Sequence, residues 1–239
     1  MGAVQAMCAC DAQKPCCGAD LGSSSTVTAV AMLRDSAPTG GPEIDAAVGE
    51  VVRRPTYLTA VLTGMPPNCA ASKGHVELTQ TGYLRVSDAA KNSIIAEHNR
   101  NEDEDMQIHT GDCMFNVGGQ EGDTLAMAQR LQQGGEVVLH ICRPFRFIVK
   151  ALDKSKGQLG LSVMHSAMGT AIYIQDVSVQ GLVGLHGEAC PQLRVLPGDL
   201  IVEVNGRRDK ARVLMKHLES ERVLSLTIDR PTRRPVGAP

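Results

Sequence analysis

GDCMFNVGGQEGDTLAMAQRLQQGGEVVLHICRP, residues Gly111–Pro144, occurs a second time in altered form as GDLIVEVNGRRDKARVLMKHLESERVLSLTIDRP, residues Gly198–Pro231. The two stretches align without a gap at an offset of 87 residues, and nine of their 34 positions are identical. Upstream, RPTYLTAVLTG (54–64) is similar to RPFRFIVKALD (143–153). The chain therefore contains one structural unit twice. Because the Arg-Pro that closes the first copy also opens the second, we expect almost no linker between the units.

Each copy has a pattern of short strands followed by one helix. Alternate apolar residues follow each Gly-Asp and are predicted to share one face of a strand: Cys113, Phe115 and Val117 in the first copy, and Leu200, Val202 and Val204 in the second. The helix that follows has Asp123 or Asp209 as its predicted N-cap. A unit with these elements is predicted to be a small β-barrel or sandwich capped by a helix.

The composition argues against several other classes of protein. The 239-residue chain has 24 Lys and Arg against 26 Asp and Glu, so no basic surface for nucleic acid is predicted. Its apolar runs are far shorter than the roughly 20 residues that cross a bilayer, and its first residues lack the pattern of a signal peptide. We therefore expect a cytoplasmic protein that does not bind nucleic acid.

The two ends of the chain differ in composition from the repeated region. Residues 1–50 are rich in Ala, Gly, Ser and Pro and contain six acidic against two basic residues, without a helical or strand period. Such a segment is predicted to be a disordered tail. The predicted organisation is thus a tail over 1–50, a first unit over 51–144, a second unit over 145–232 and a flexible C-terminal tail over 233–239.

The N-terminal tail contains a glycine and several cysteines that are candidates for lipidation, namely Gly2, Cys8, Cys10, Cys16 and Cys17. Two acyl groups together would anchor the chain stably to a membrane. Position six is Ala6, however, where a myristoylation pattern has Ser or Thr. Thiolates could instead bind a soft metal, although the cysteine spacing does not describe a closed tetrahedral site. A flexible tail with neither property is the third interpretation.

Further motifs in the second copy connect it with a known family. GQLGLSV (157–163) is a glycine loop that opens a strand, AIYIQDV (171–177) is a second strand, and LRVLPGDLIVEVNG (193–206) contains the Gly-Asp and an Asn-Gly turn. In this order the motifs resemble those of the PDZ domain, and the first copy resembles a degenerate PDZ domain. The resemblance implies a mostly β fold with α: two PDZ-like, partly open β-barrel or sandwich units, each capped by helices.

The resemblance also implies how the second unit would act. A protein C terminus or an extended peptide would add as an antiparallel strand beside the helix, and the backbone N–H groups of the glycine loop would hold its carboxylate. The implied peptide-binding residues are Leu159, Gly160, Leu161, Val163, Ala211, Met215 and Leu218. In many relatives a histidine that reads Ser or Thr occupies the helix position that matches Ala211. We therefore expect partners that are apolar at their terminal and third-from-last positions, although a shift of one residue would place Arg212 there instead.

The first copy differs in its loop. Aligning SKGHVELTQ (72–80) with SKGQLGLSV (155–163) places Glu77 where the second copy has Gly160. A carboxylate there would repel a ligand carboxylate, which predicts a unit that rejects free C termini and binds an internal segment or nothing. The alternative is that Glu77 simply points into solvent while the unit packs against its neighbour, and a scaffolding first unit is the favoured prediction.

Taken together, these patterns predict a non-enzymatic adaptor or scaffold. The sequence has no HExxH, GxSxG or P-loop pattern, so no catalytic residue, cofactor or metal is predicted. Two alternatives stay open. The chain could be a targeting or regulatory subunit of a protease or signalling complex, or a metal- or redox-responsive protein that acts through its N-terminal cysteines.

Overall fold

The computed structural model of the chain describes residues 49–65, 76–89, 93–166 and 169–232. Most of the predicted N-terminal tail and the predicted C-terminal tail lie outside the described residues. The candidate lipidation residues also lie outside them: Gly2, Cys8, Cys10, Cys16 and Cys17.

The secondary structure falls into two successive sets of strands and helices, preceded by a short strand, β1 (Glu50–Arg53). The first set comprises β2 (Thr56–Met65), β3 (Val76–Leu78), β4 (Leu84–Val86), α1 (Ser93–Asn101), a 3-10 helix (Glu104–Met106), β5 (Cys113–Val117), β6 (Gln120–Glu121), α2 (Thr124–Gln133) and β7 (Gly135–Arg143). The second set comprises β8 (Phe145–Asp153), β9 (Leu161–His165), β10 (Ile172–Val177), α3 (Leu182–Ala189), a 3-10 helix (Pro191–Leu193), β11 (Leu200–Val204), α4 (Ala211–Ser220) and β12 (Val223–Arg230).

Each set forms one antiparallel sheet. The order in the first sheet is β2-β7-β5-β4-β3, with β6 paired to β5, and the order in the second is β1-β8-β12-β11-β10-β9. Apart from β1 and β6, the two orders are the same once equivalent strands are matched. Both sheets are open over the described residues, and helices cover them. The mostly β fold in two repeated, helix-capped units is therefore confirmed.

The Gly-Asp and Arg-Pro that recur in the sequence form the same ion pair in both units. Arg143 Nε donates to Asp112 Oδ1 at 3.3 Å, and Arg230 Nε donates to Asp199 Oδ1 at 2.8 Å. Both carboxylates are buried, and each also accepts a backbone N–H from its own turn, that of His109 or of Leu196, at 2.8 and 2.9 Å. Each pair thus ties the turn before a central strand to the strand that closes the unit.

The strand after each Gly-Asp contains a β-bulge that the sequence pattern did not reveal. The register shifts between Met114 and Asn116 in β5, and between Ile201 and Glu203 in β11. A bulge adds one residue and reverses the alternation of side chains beyond it. The residues that face the core of their unit are Met114 and Val117 in β5, and Ile201 and Val204 in β11. The prediction of one shared face was therefore wrong, because Cys113, Phe115, Leu200 and Val202 lie on the opposite face.

Strand β1 belongs to the sheet of the second unit. It pairs antiparallel with β8, with Glu50 opposite Ile148 and Val51 opposite Phe147. The sequence pattern had grouped residues 51–53 with the first unit, because pairing across nearly 100 residues leaves no local signal. Gly49 fits closely here, since a Cβ at this position would lie 2.7 Å from the Ile148 carbonyl oxygen. The first unit thus lies between two strands of one sheet along the chain.

Candidate peptide-binding groove

The candidate groove begins at β9, which forms one edge of the second sheet. On its inner side β9 pairs with β10, with Val163 opposite Ile174 and Leu161 opposite Val177. Within the described part of the chain no strand pairs with its outer side. An edge strand of this kind presents unpaired N–H and C=O groups to which an extended segment can add.

Helix α4 packs against β10, which is the inner neighbour of β9, and against β11. Ala211, Met215 and Leu218 follow one another at helical spacing and form a stripe on the face of α4 that contacts the sheet. They belong to the same hydrophobic cluster as Leu159, Leu161 and Val163. Leu159 and Leu161 are only partly buried, so they retain apolar surface that a ligand could cover.

Gly160 gives the loop before β9 its shape. Its φ angle is +73°, a conformation that glycine adopts at little cost, and a Cβ on this residue would lie 2.6 Å from the Cα of Gly181. Gly181 is the N-cap residue of α3, where a Cβ would in turn lie 2.4 Å from the Cα of Gly160. The two glycines therefore allow the loop and the start of α3 to approach closely. Sequence reasoning singled out Gly160 but did not find Gly181, whose need for glycine depends on this contact.

The carbonyl groups of the loop are held by the chain itself. Gln158 O accepts from Leu182 N at 2.9 Å, and Leu159 O accepts from Val183 N at 3.2 Å. Gly160 O accepts from Ser178 N at 2.8 Å. Since the C=O and N–H of a trans peptide point in opposite directions, the N–H groups of the same three peptides point away from these partners. They belong to Leu159, Gly160 and Leu161.

Lys154 lies at the C-terminal end of α4, near the buried Leu218. Its Nζ donates to Leu218 O at 2.8 Å and to Glu219 O at 2.7 Å. A lysine that donates to the last carbonyl groups of a helix is a favourable C-terminal cap. It therefore adds a positive charge at the end of α4 while it stabilises the helix.

The other end of α4 depends on the turn between β9 and β10. Ala211 is the first residue of the helix, and its N–H donates to Gly169 O at 2.8 Å. Lys210 is the N-cap residue and makes no side-chain capping bond, while the Asp209 carboxylate accepts from Lys210 N rather than from an N–H of the helix. The prediction of Asp209 as N-cap was therefore wrong. In the first unit Asp123 does cap α2, by accepting from Leu125 N and Ala126 N, as predicted.

The register of the first sheet places Glu77 differently from the sequence alignment. Val76 pairs with Val86 as Val163 pairs with Ile174, so Val76 is the equivalent of Val163. Glu77 is then the equivalent of Met164, not of Gly160. The loop before β3 has a different length from the loop before β9, and an ungapped alignment across it slips by four residues. The expected repulsion between Glu77 and a ligand carboxylate is therefore not supported.

Glu77 instead contacts the second unit. Its Oε1 accepts from Thr170 N at 2.8 Å and from Thr170 Oγ1 at 2.9 Å. Arg85 Nη1 donates to Thr170 Oγ1 at 2.7 Å and to Glu77 Oε2 at 3.3 Å. The side chains of Arg85 and Glu77 are 4% and 13% exposed. Burial opposes the charged form of Arg85, but the nearby negative charge, above all that of Glu77, outweighs it and raises the pKa of Arg85.

An apolar contact adjoins this polar one. Ala171, Leu200 and Val202 form a small buried cluster on the face of the second sheet that points away from its own core. Tyr173 packs against this cluster, and burial raises the pKa of its phenol, as it does that of Tyr83 in the first unit, well above the ordinary value. The first unit therefore covers the outer face of the second sheet.

Other types of site receive no support from the described ranges. They contain no group of three or more His, Cys, Asp or Glu side chains that could hold a metal ion. None of the helices in these ranges is both long and apolar enough to cross a membrane.

Solved structures similar to this chain include that of INAD PDZ45 in complex with an NG2 peptide, at 19% identity and a TM-score of 0.31. The match covers 76% of this chain and 94% of that chain. The complex of INAD PDZ45 with NORPA CC-PBM matches at 18% identity and a TM-score of 0.30, over 76% of this chain and 95% of that chain. No model of a protein family matches the sequence, and no curated protein does.

Proposed function

We propose that the second unit is a PDZ domain that binds protein C termini or extended peptide segments, and that the protein is a non-enzymatic adaptor. The observation that carries this proposal is the direction of three peptide groups. The carbonyl oxygens of Gln158, Leu159 and Gly160 are all occupied by the chain, so the three opposite N–H groups are directed away from α3. Neither Leu159 N nor Gly160 N donates to another described residue.

In the proposed complex the peptide adds antiparallel to the outer side of β9, with its C terminus at the glycine loop. The N–H groups of Leu159, Gly160 and Leu161 donate to the terminal carboxylate, as in other anion-binding backbone nests. The terminal side chain packs among Leu159, Leu161, Val163 and Leu218. Burial of one Val or Leu side chain in such a pocket contributes roughly 1.5–3 kcal/mol.

The start of α4 sets the second element of specificity. Ala211 has no hydrogen-bonding side chain, and Met215 lies one turn further along the same stripe. A Ser or Thr in the third-from-last position of the peptide would lose its bonds to water and gain none here. The groove therefore prefers an apolar residue at this position. Arg212, the alternative reader, is exposed and points away from the stripe.

The test is an array of C-terminal peptides probed with the full chain. Peptides that end in Leu-Ala-Val should bind, and the same peptides with an amidated C terminus should bind at least about tenfold more weakly, because the nest then faces no negative charge. Equal binding of the acid and amide forms would contradict the proposal.

A pair of variants gives an independent check. Gly160→Glu places a Cβ 2.6 Å from the Cα of Gly181, so it should displace the loop that carries the nest and abolish binding. Gly206→Glu is the matched control, because Gly206 also has a positive φ, +72°, but has no atom within 4 Å of the position of its Cβ. If both variants lose binding equally, backbone strain explains the loss and the assignment of the nest fails.

A further inference from the structure

Gly169 and Thr170, in the turn between β9 and β10, connect the first unit with the groove of the second. Thr170 is held by Glu77 of the first unit, and Gly169 O accepts from Ala211 N at the start of α4. Because the two residues are consecutive, a displacement of one also moves the other. We infer that the first unit positions the peptide groove of the second through this turn, with Glu77 as the positioning residue. This inference rests on the proposed function of the groove.

Several hydrogen bonds hold Thr170 on the side of the first unit. Glu77 accepts two hydrogen bonds from Thr170, one from the backbone and one from the hydroxyl group. The hydroxyl also accepts from Arg85, which donates to Glu77 as well, so the three side chains form one small network. Charged hydrogen bonds are shorter and stronger than neutral ones, and exclusion of water strengthens them further. The network therefore fixes Thr170 relative to β3 and β4.

The contact on the groove side replaces a missing cap. The first N–H groups of a helix have no partner within the helix and need an acceptor from outside it. In α4 no side chain of the N-cap residue provides one, and Gly169 O accepts from Ala211 N at 2.8 Å. The turn thus acts as the cap of α4 at the residue that is proposed to face the third-from-last position of the peptide.

The first unit has no corresponding dependence. Its helix α2 is capped by its own Asp123, through hydrogen bonds of 2.9 and 3.0 Å to Leu125 N and Ala126 N. An isolated second unit would lose the contacts of Thr170, and α4 would then start from a less constrained turn. The effect should be largest at the end of the groove where the peptide enters, and smaller at the carboxylate nest around Gly160.

The test measures amide exchange by NMR in the full chain without any ligand. In Glu77→Ala the Ala211 amide should exchange at least about tenfold faster than in the unsubstituted protein, because its acceptor is no longer held. Glu77→Gln keeps one side-chain acceptor and should give an intermediate rate. Glu136→Ala is the matched control, since Glu136 is an exposed acid of the same unit and should leave the rate unchanged. An unchanged Ala211 rate in Glu77→Ala would overturn the inference.

The second arm measures binding of a fluorescein-labelled peptide that ends in Leu-Ala-Val with a free carboxylate. Glu77→Ala should weaken its binding about five- to tenfold, and should reduce the preference for Leu over Ser in the third-from-last position. Faster Ala211 exchange with unchanged affinity would also overturn the inference.

The two arms separate failure of the inference from failure of the proposed function. If the unsubstituted protein does not bind the peptide, the proposed function fails for this ligand, while the Ala211 rate still decides whether the turn is held by the first unit. Should Glu77→Ala not fold, Thr170→Val provides the second variant. It removes the hydroxyl contacts without leaving a buried arginine unpaired, and it should raise the Ala211 rate in the same direction.

Discussion

The helices α2 and α4 occupy equivalent places in the two units but begin in different ways. Asp123 caps α2 with its own side chain, whereas α4 has Lys210 at its N-cap and takes its acceptor from Gly169. The strand order, the bulge and the Asp-Arg pair are the same in both units. The comparison shows that the two copies kept the framework and diverged where one unit could rely on the other.

The equivalent edge strands β3 and β9 also differ in what they contact. Glu77 on β3 reaches across to Thr170, while Met164, its equivalent on β9, lies within the second unit and contacts Gln175 through its sulfur atom at 3.1 Å. One unit therefore supplies a contact and the other receives it. The substitutions described next compare paired positions in the same manner, beginning with those of greatest expected effect.

The largest effect is expected from the buried ion pairs that both units share. Asp199 receives two hydrogen bonds from Arg230, at 2.8 and 2.7 Å, whereas Asp112 receives one from Arg143, at 3.3 Å. Removal of one partner of a buried pair leaves the other charge without compensation, and Asp199→Ala should lower the free energy of unfolding by about 3–5 kcal/mol.

Asp112→Ala should cost less, about 2–3 kcal/mol, because its pair is longer and single. Urea-induced unfolding of both variants gives the comparison, with the exposed Asp176→Ala as a control that should change stability by less than about 0.5 kcal/mol. A larger loss at Asp112 than at Asp199 would show that the pairs are not equivalent in role.

The next effect concerns two glycines of the second unit that have almost the same φ angle. Gly160→Ala introduces a Cβ 2.6 Å from a backbone atom and should destabilise the protein by about 2–4 kcal/mol, through strain and overpacking together. Gly206→Ala has open space around it and should cost only about 1–2 kcal/mol. Thermal unfolding distinguishes them, and equal losses would mean that the contact between Gly160 and Gly181 is not close in solution.

A smaller effect should depend on pH and arise in the second unit. His186 is buried, and neither ring nitrogen has a hydrogen-bond partner among the described residues. Burial lowers its pKa below the ordinary value of 6.5. Below pH 6.5 the unfolded chain then binds more protons than the folded chain, so stability falls as the pH falls, by at most about 1.4 kcal/mol per pH unit.

The comparison for this prediction is His186→Leu, which fills the same buried position with an apolar side chain that cannot be protonated. Its urea midpoint should change less between pH 7.5 and pH 5.5 than that of the unsubstituted protein. The difference corresponds to the roughly one proton that His186 takes up on unfolding at low pH. Above about pH 8 the imidazole is almost entirely neutral in both states and contributes almost no slope. An identical pH dependence in the two proteins would rule out His186 as its source.

The smallest changes in stability are expected from substitutions that alter the N-terminal caps of α2 and α4. Asp123→Ala removes the cap of α2 and should lower stability by about 1 kcal/mol. Lys210→Asp gives α4 a side-chain acceptor of its own and should raise stability by about 0.5–1 kcal/mol. Calorimetry measures both changes. Added to Glu77→Ala, Lys210→Asp should also reduce the increase in Ala211 exchange, and failure to do so would separate the capping of α4 from the turn.

Local patterns were sufficient to predict the repeat, the mostly β fold and the Asp123 cap. These features depend on residues that are close in sequence or that recur at a constant offset. The face assignments in β5 and β11 failed because one inserted residue reverses the alternation, and the alternation itself gives no sign of the insertion.

Two features of the candidate site depend on tertiary contacts and could not be predicted. The place of Glu77 follows from strand register across a loop whose length differs between the copies, and only the pairing of Val76 with Val86 resolves it. The need for glycine at 181 arises from a loop more than 20 residues earlier in the chain, at Gly160. The six apolar residues implied by the resemblance belong to the hydrophobic cluster of the second unit, and their role in peptide binding stays a prediction.

The pairing of β1 with β8 means that the first unit is nested inside the second along the polypeptide. During vectorial synthesis β1 leaves the ribosome before the whole first unit, and it must wait for β8 before it finds its partner. A fragment that starts at Phe145 would leave the outer side of β8 uncovered, and an uncovered strand edge invites association between molecules. Division of this protein at the apparent boundary between its units would therefore remove part of the second sheet.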